Sequence, residues 1–194
     1  MTLSFDTTQI PGYIAGTWTI DPVHSDLSFK VRHLMVGNVR GKFHGVAGTL
    51  ALAEDPLDST VVAEIDVASI DTGNEQRDAD LRSARFFDVA NYPTMTYRSR
   101  SVRRDGESFV VDGELSVHGI ARDVELQVEV NGFTTDPYGG TRVGFTATTE
   151  LDRHDFGITP DPPFDGGTVV GNTVRAVLEI EAVLTQPAPR SPAP

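Results

Sequence analysis

The chain has 194 residues, no cysteine, and 28 acidic against 16 basic residues, which give a formal net charge of −12. The lack of cysteine excludes a disulfide framework, a cysteine-ligated metal and a thiol nucleophile, and it fits a reducing compartment. An acidic protein is repelled by nucleic acid and by anionic lipid surfaces unless its basic residues cluster. The composition therefore predicts a soluble protein that does not bind nucleic acid.

The two ends of the chain differ in composition from the body between them. Residues 1–16 show no hydrophobic period and are predicted to form an arm over the body, which comprises residues 17–185. Residues 186–194 are rich in proline and alanine and are predicted to be disordered. The first residues lack the basic segment and apolar run of a signal peptide, and no stretch approaches the length of a membrane span. We therefore expect a cytoplasmic protein without stable membrane insertion.

Strict alternation of apolar and polar residues dominates the body. This period is typical of antiparallel strands that have one face in water. It predicts a short strand at Trp18 and eight substantial strands, which lie near residues 26–32, 42–52, 61–67, 94–104, 107–117, 124–130, 142–151 and 174–184. The dipeptide Asp105-Gly106 predicts a tight hairpin between two of them.

One short helix is predicted after the strand near residues 61–67, which is the fourth strand when the short one at Trp18 is counted. Thr72-Gly73-Asn74-Glu75 matches a capping box, in which the threonine caps the helix and the glutamate lies in its first turn. A helix over residues 75–87 would place Leu81 and Phe87 on one side. Pro93 prevents its continuation because proline lacks the N–H that a helix needs.

The strand pattern is compatible with two architectures. Eight antiparallel strands can close into a barrel or separate into a sandwich. Strands of about 9–11 residues span roughly 30–35 Å, at about 3.3 Å per residue. This length exceeds what a small sandwich needs and suits a barrel that holds an elongated ligand. The pattern favours the barrel and leaves the sandwich open.

The motifs that carry common chemistries are absent from the sequence. There is no G-x-S-x-G elbow, and the glycine-rich segment 37–43 lacks both the spacing and the Ser or Thr of a phosphate-binding loop. The histidines have no metal-binding spacing and fit hydrogen-bonded strand ends better; they are His24, His33, His44, His118 and His154. We therefore predict no catalytic residue, no cofactor and no metal site.

The segment Asp152-Arg153-His154-Asp155 has two interpretations. It follows a predicted strand, and a dense group of acids and bases can perform general acid–base catalysis. The same residues also fit an Asx turn with local ion pairs that holds a loop in place.

Basic residues cluster twice in this acidic chain. Lys30, Arg32, Arg40 and Lys42 form the first cluster, and the four arginines of residues 98–104 form the second. Each cluster is either a solvated strand face or a positive patch that receives an anionic group.

Several ordered motifs resemble those of the YceI family of polyisoprenoid-binding, lipocalin-like proteins. The first, over residues 18–43, is W-x-I-D-x-x-H-S-x-L-x-F-x-V-x-H-L-M-V-x-x-V-x-G-x-F. The resemblance continues through residues 70–73, 77–78, 81–83, 86–88, 92–93, 113–119 and 153–157, and it covers about residues 17–185. It implies an all-β fold, an extended eight-stranded antiparallel lipocalin-like barrel whose interior holds the prenyl tail of an amphiphile.

Strand parity and the motif match together give the predicted ligand-binding residues. The predicted wall comprises Leu27, Phe29, Val31, Phe43, Tyr97, Phe145 and Phe156. The predicted headgroup contacts are Arg32, His33, Arg153 and His154. All eleven would contact a bound isoprenoid lipid.

The function that the resemblance implies is binding, not catalysis. The ligand would be a polyprenyl phosphate or an isoprenoid quinone, and the protein would act in its transport, storage or sequestration. The resemblance is also compatible with a homodimer. Two alternatives stay open: an enzyme that uses the Asp152–Asp155 segment on a prenyl or other lipid substrate, and an interaction module with a solid core.

Overall fold

The computed structural model describes residues 10–34, 36–159 and 169–188. Residues 1–9 of the predicted arm and residues 189–194 of the predicted tail lie outside this description. The last strand continues to Pro187, two residues into the segment that was predicted to be disordered. Among the described residues, no helix is long and apolar enough to cross a membrane.

Eleven antiparallel strands form one sheet in the described part of the chain. They are β1 Gly16–Ile20, β2 Asp26–His33, β3 Gly37–Phe43, β4 Val46–Leu52, β5 Thr60–Asp66, β6 Ile70–Asp71, β7 Thr94–Asp105, β8 Ser108–Val117, β9 Ile120–Thr135, β10 Thr141–Asp152 and β11 Val170–Pro187. The helix α1, Glu75–Arg82, follows the four longer strands β2 to β5 and the short β6.

Pairing between β1 and β11 closes the sheet into a barrel of eight strands, in the order β1-β4-β5-β7-β8-β9-β10-β11. The closed barrel confirms the lipocalin-like architecture and excludes the sandwich. The second half of β11 pairs with β1 and its first half pairs with β2, so β2 and β3 extend the wall at one end. The strand predicted over residues 42–52 is two strands, because β3 ends at Phe43 and β4 begins at Val46.

The helix differs from the prediction at both ends. Its N-cap is Asn74, whose side chain accepts a hydrogen bond from the Arg77 N–H, so the prediction that Thr72 caps it was wrong. The Thr72 hydroxyl is engaged by Arg77 Nε at 2.7 Å instead. The helix ends at Arg82, short of Phe87, because Ser83 adopts an extended backbone.

The two ends of the barrel are filled by aromatic side chains. At the end that carries α1, the Phe43 ring packs on Phe29 and Phe87, with centroids 5.6 and 5.8 Å away. Toward the other end, the single tryptophan, Trp18, is fully buried on β1 and meets Phe133 edge-on at 5.6 Å. These clusters confine any internal space to the middle of the barrel.

Arg142 links three segments at one end of the barrel. Its guanidinium donates to Asp21 after β1, to Asp136 in the β9–β10 connection, and to Glu181 on β11. Hydrogen bonds from His24 and Arg142 hold the pKa of the Asp21 carboxyl well below its ordinary value. The hydrogen bond from Arg142 is also the main cause of the lowered pKa of Asp136.

The Arg142 cluster makes the stability of the fold depend on pH. Because folding lowers both carboxyl pKa values, the stabilisation is present above their unfolded value of about 4 and is lost as the pH falls below it. We expect Arg142→Gln to lower the urea midpoint most above about pH 5, with the difference from wild type shrinking toward about pH 2. Arg85→Gln is the control, because Arg85 is exposed and its guanidinium lies 3.8 Å from the carboxylate of Asp80. A difference that does not change with pH would contradict the assignment.

Gly113 on β8 is required by the ring of Tyr97. A Cβ at this glycine would lie 2.5 Å from the Tyr97 ring and 2.6 Å from the Arg98 carbonyl oxygen. We expect Gly113→Ala to destabilise the protein by about 1–3 kcal/mol, the usual range for overpacking. Gly144→Ala on β10 is the matched control, because its nearest neighbour would lie at an ordinary 3.4 Å. Equal denaturation midpoints for the two variants would contradict this account.

Candidate ligand cavity

The barrel contains an apolar cavity of about 180 Å³. Every strand of the closed ring except the short β1 contributes several side chains, and β1 contributes Ile20. No described lining residue is charged. The polar lining residues are Tyr13, Ser59, Thr60, Tyr97, Ser99 and Thr149.

Strand alternation explains why the cavity is apolar although the protein is acidic. On β9, Val124, Leu126 and Val128 line the cavity, whereas the intervening Glu125 and Gln127 are exposed. Because successive side chains of a strand point to opposite faces, the polar half of the sequence pattern is placed in water. The charge of the chain therefore lies on the outer surface of the wall.

The cavity-lining side chains are less completely buried than a packed core. Leu126, Val128, Val130 and Phe145 keep partial exposure although they point into the barrel. Packed protein interiors leave few voids larger than a water molecule, so partial exposure at these positions marks unfilled space. This interior is at odds with the alternative of an interaction module with a solid core.

The polar groups of the cavity wall are largely engaged with backbone. The Tyr97 hydroxyl donates to the Val111 carbonyl at 2.9 Å, and burial raises the pKa of this phenol above its ordinary value. Ser99 Oγ accepts the Val61 N–H at 2.8 Å. Tyr13 donates to the Ala53 carbonyl at 2.7 Å. These groups therefore present mostly apolar surface to the cavity.

Three of the seven predicted wall residues line the cavity: Leu27, Tyr97 and Phe145. The other four point inward but lie elsewhere. Phe29 and Phe43 belong to the aromatic cluster beside α1, and Val31 is buried on the same strand as Phe29. Phe156 is buried beyond the end of β10. Strand parity predicts the inward face, but it does not predict how far along the barrel a side chain lies.

The predicted headgroup residues are not brought together. Arg153 is only 6% exposed, and its guanidinium donates to the carbonyls of Ile158, Val170 and Gly171 at 2.8 to 3.2 Å. Arg32 and His154 are exposed, and His33 is half-buried. None of the four lines the cavity, so their contact with a ligand stays a prediction.

The segment Asp152–Asp155 forms a 3₁₀ turn, Arg153–Phe156, capped by Asp152. The Asp152 carboxylate accepts the His154 N–H at 2.9 Å, while its distance to the His154 ring nitrogen is 3.9 Å. This is the Asx-type interaction that one of the two interpretations predicted. The carboxylate is thus engaged with backbone and lies outside the cavity.

The two basic clusters have different environments. In the second, Arg100 pairs with Glu114 and Asp123, and Arg103 lies 3.0 Å from Glu125. Two of the four arginines of this cluster are therefore balanced by carboxylates on the outer face. In the first, Lys42 pairs with Asp26. The other three members, Lys30, Arg32 and Arg40, have no ion pair within the described part of the chain.

Some residues that line the cavity were not predicted from the sequence. Ile10 and Tyr13, from the segment predicted to be an arm, line the cavity. Their segment shows no alternation of apolar and polar residues, so the sequence did not predict that it lies against the barrel. The sequence pattern predicted β9 as a strand, but the predicted wall did not include its residues. That wall consists mainly of aromatic side chains, whereas the lining residues of β9 are valine and leucine.

One group of side chains has the geometry to hold a cation. The ligand atoms of Asp21, His24 and Glu181 all lie within 4.8 Å of one another. The Arg142 guanidinium already donates to both carboxylates and supplies the positive charge. We therefore interpret this group as the structural cluster described above.

Comparisons with known proteins agree with this architecture. The family model of the YceI-like domain matches residues 18–182. Protein YceI of Salmonella newport (strain SL254) is 34% identical over 151 residues, which cover 76% of this chain and 79% of that protein.

Two solved structures share the fold. BcnA of Burkholderia cenocepacia gives a TM-score of 0.72 at 20% identity and covers 84% of this chain and 98% of that chain. A polyisoprenoid binding domain from Saccharophagus degradans, implicated in plant cell wall breakdown, gives 0.66 at 18% identity over 89% and 99%. At these identities the two structures show a common fold alone.

The contacts of Arg153 predict a role in stability. We expect Arg153→Met to lower the free energy of unfolding by about 2–3 kcal/mol, because it leaves three backbone carbonyls without their charged donor. Arg32→Met, at an exposed position, should change stability by less than about 0.5 kcal/mol. Chemical denaturation measures both. Equal, small effects would contradict a structural role for Arg153.

Proposed function

The chain belongs to the YceI-like family, and we propose that it binds an isoprenoid amphiphile inside its barrel as a carrier, storage or sequestration protein. The observation that carries the proposal is the uncharged cavity. Along β10 its lining runs from Phe145 to Leu151, a distance of about 20 Å at the rise of an extended strand. An elongated apolar tail fits such a space better than a compact polar substrate.

Hydrophobic burial accounts for useful affinity without any chemistry. Transfer of each methylene from water contributes about 0.8 kcal/mol, so a tail of four prenyl units gains over about 10 kcal/mol gross. Ordering the tail and losing translational freedom offset several kcal/mol of this or more. The difference corresponds to nanomolar to micromolar binding. The structural neighbour from Saccharophagus degradans is described as a polyisoprenoid binding domain, which supports the same ligand class.

The chemistry of the lining supports binding over catalysis. No carboxylate, histidine or lysine is among the described residues that line the cavity. The hydroxyls of Tyr97 and Tyr13 donate to backbone carbonyls. General acid–base catalysis needs a titratable group within hydrogen-bond reach of the reacting atom. A carrier needs none.

The proposal includes three further parts that come from the sequence. The ligand is a polyprenyl phosphate or an isoprenoid quinone, the protein is cytoplasmic, and it assembles as a homodimer. Light scattering behind size-exclusion chromatography tests the last part. A mass of one chain at all concentrations would remove it.

Native mass spectrometry of the purified protein tests ligand binding directly. We expect one isoprenoid lipid per barrel, either co-purified or taken up from added geranylgeraniol. Displacement of N-phenyl-1-naphthylamine, a neutral dye that fluoresces in apolar cavities, gives the affinity. If neither the dye nor any prenyl lipid binds the folded protein, the proposal is wrong.

Two adjacent valines of β5 provide a matched pair. Val61 lines the cavity, and Val62 does not. We expect Val61→Asp to weaken binding of the dye and of geranylgeraniol at least tenfold, because a carboxylate in an apolar cavity is poorly solvated. Val62→Asp should bind within about twofold of wild type, and circular dichroism confirms that both variants fold. Equal binding by the two variants would contradict the assignment of the cavity.

The enzymatic alternative has its own test. If the Asp152–Asp155 segment is catalytic, the wild type will hydrolyse a prenyl ester, and the double variant His154→Ala, Asp155→Asn will not. Retention of the ester without turnover by both proteins favours the carrier.

A further inference from the structure

The barrel wall has a gap between β9 and β10. Their pairing ends at Gln127 and Thr148. However, β9 begins at Ile120 and β10 continues to Asp152. Beyond the last pair, the only strand pairings among the described residues are those of β9 with β8 and of β10 with β11. The two strands therefore separate toward the end of the barrel that carries α1.

The gap is bounded on its third side by the 3₁₀ turn Arg153–Phe156. Gly157, at the end of this turn, lies against Ile120 at the start of β9. Asp155 and Phe156 lie at the edge of the opening. We call this opening, between residues 120–127, 148–152 and 153–156, the lateral window.

The lateral window adjoins the cavity. Four residues line both spaces: Val124, Thr149, Leu151 and Ala176. On the outer side the window becomes a groove of about 590 Å³, lined by exposed side chains that include Glu125 and Glu150. Only the side chains of these four shared residues lie between the two spaces in the described part of the chain.

Two features of the rim define what it can bind. Residues 121–126 of β9 and 149–152 of β10 have no backbone hydrogen bonds to each other in the described part of the chain, so N–H and C=O groups without a strand partner face the opening. The Ala121 carbonyl accepts from the Arg122 guanidinium instead. Gln127, Thr148 and Thr149 add uncharged donors and acceptors. Such a rim complements a headgroup that both donates and accepts hydrogen bonds.

The charges of the rim do not form an anion site. Among the described residues that line the groove, five carry carboxylates and two, Arg122 and Arg175, carry guanidiniums. Two of the carboxylates, Asp123 and Glu125, pair with Arg100 and Arg103, which do not line it. Arg175 is already paired with Glu150. The Asp155 carboxylate has no ion pair with any described residue. A phosphate here would meet more negative than positive charge, and recognition of phosphate normally uses several free arginines.

We infer that the lateral window is the portal through which the ligand enters and leaves the barrel, and that it holds an uncharged polar headgroup such as a hydroxyl or quinone carbonyl. This inference rests on the proposed function, because it presupposes that a lipid tail occupies the cavity. It selects the isoprenoid alcohol or quinone class over polyprenyl phosphates.

The portal is tested with two variants, one of which places a bulky side chain in the window and the other in a distant part of the cavity. Thr149→Trp fills the window, whereas Val102→Trp fills the cavity at a lining position outside it. Stopped-flow fluorescence of N-phenyl-1-naphthylamine gives the uptake and release rates. We expect Thr149→Trp to slow both rates at least fivefold more than Val102→Trp does. Slower exchange in Val102→Trp would place the entrance at the opposite end and overturn the inference.

A tether gives the same information without a bulky residue in the wall. Since the chain has no cysteine, Glu125→Cys with Glu150→Cys can be bridged across the window by a flexible bis-maleimide. The control is Glu129→Cys with Thr146→Cys, which face each other where β9 and β10 are paired. We expect bridging to slow dye exchange at least fivefold in the first pair only. Equal rates in both bridged pairs would contradict a lateral portal.

Headgroup selectivity is measured with two ligands that share one tail. We expect geranylgeraniol to displace the dye at a concentration at least tenfold lower than geranylgeranyl phosphate, and Asp155→Lys to narrow this ratio. Equal or tighter binding of the phosphate would overturn the assignment of headgroup class while leaving the proposed function intact. Failure of both lipids to bind would instead defeat the proposed function.

Discussion

The closing pair β1–β11 is the interaction on which the rest of the structure depends. A sheet with one apolar face must bury that face, and closure achieves this without a second sheet. Once the ring is closed, every alternate side chain points to a shared interior. The acidic surface and the uncharged cavity are then two consequences of one arrangement.

The cavity exists because the ends of the barrel are filled and its middle is not. Phe43 with its aromatic neighbours occupies one end, and Trp18 with Phe133 lies toward the other. Between them the lining side chains are mostly Val, Leu and Ile, which leave space at the barrel axis. The family relationship and this distribution of side-chain volume support the same kind of occupant, an apolar tail.

Much of the fold could be predicted from sequence, because the period of two is a local signal. The same signal led to Leu27, Tyr97 and Phe145, which line the cavity. It could not distinguish them from Phe29 and Phe43, since all five share the inward parity and differ only in their depth along the barrel. Depth depends on strand register, which is set by distant pairings.

The headgroup site shows a second limit of sequence reasoning. Arginine next to histidine suggested anion recognition, yet the Arg153 guanidinium is occupied by backbone carbonyls that lie up to 18 residues away. The lateral window was not predicted from the sequence. Each strand shows the same alternation of apolar and polar residues whether or not it pairs with its neighbour. Only the registers of β9 and β10 reveal it.

The position of the single tryptophan has a consequence for how this barrel can be observed. Trp18 lies on β1, the strand that closes the ring, and its indole N–H has no hydrogen-bond partner among the described residues. An indole in a dry, apolar site changes its emission when water reaches it. The intrinsic fluorescence of the protein therefore reports on the β1–β11 pairing that closes the barrel. It can reveal whether this pairing opens before the remaining strands separate.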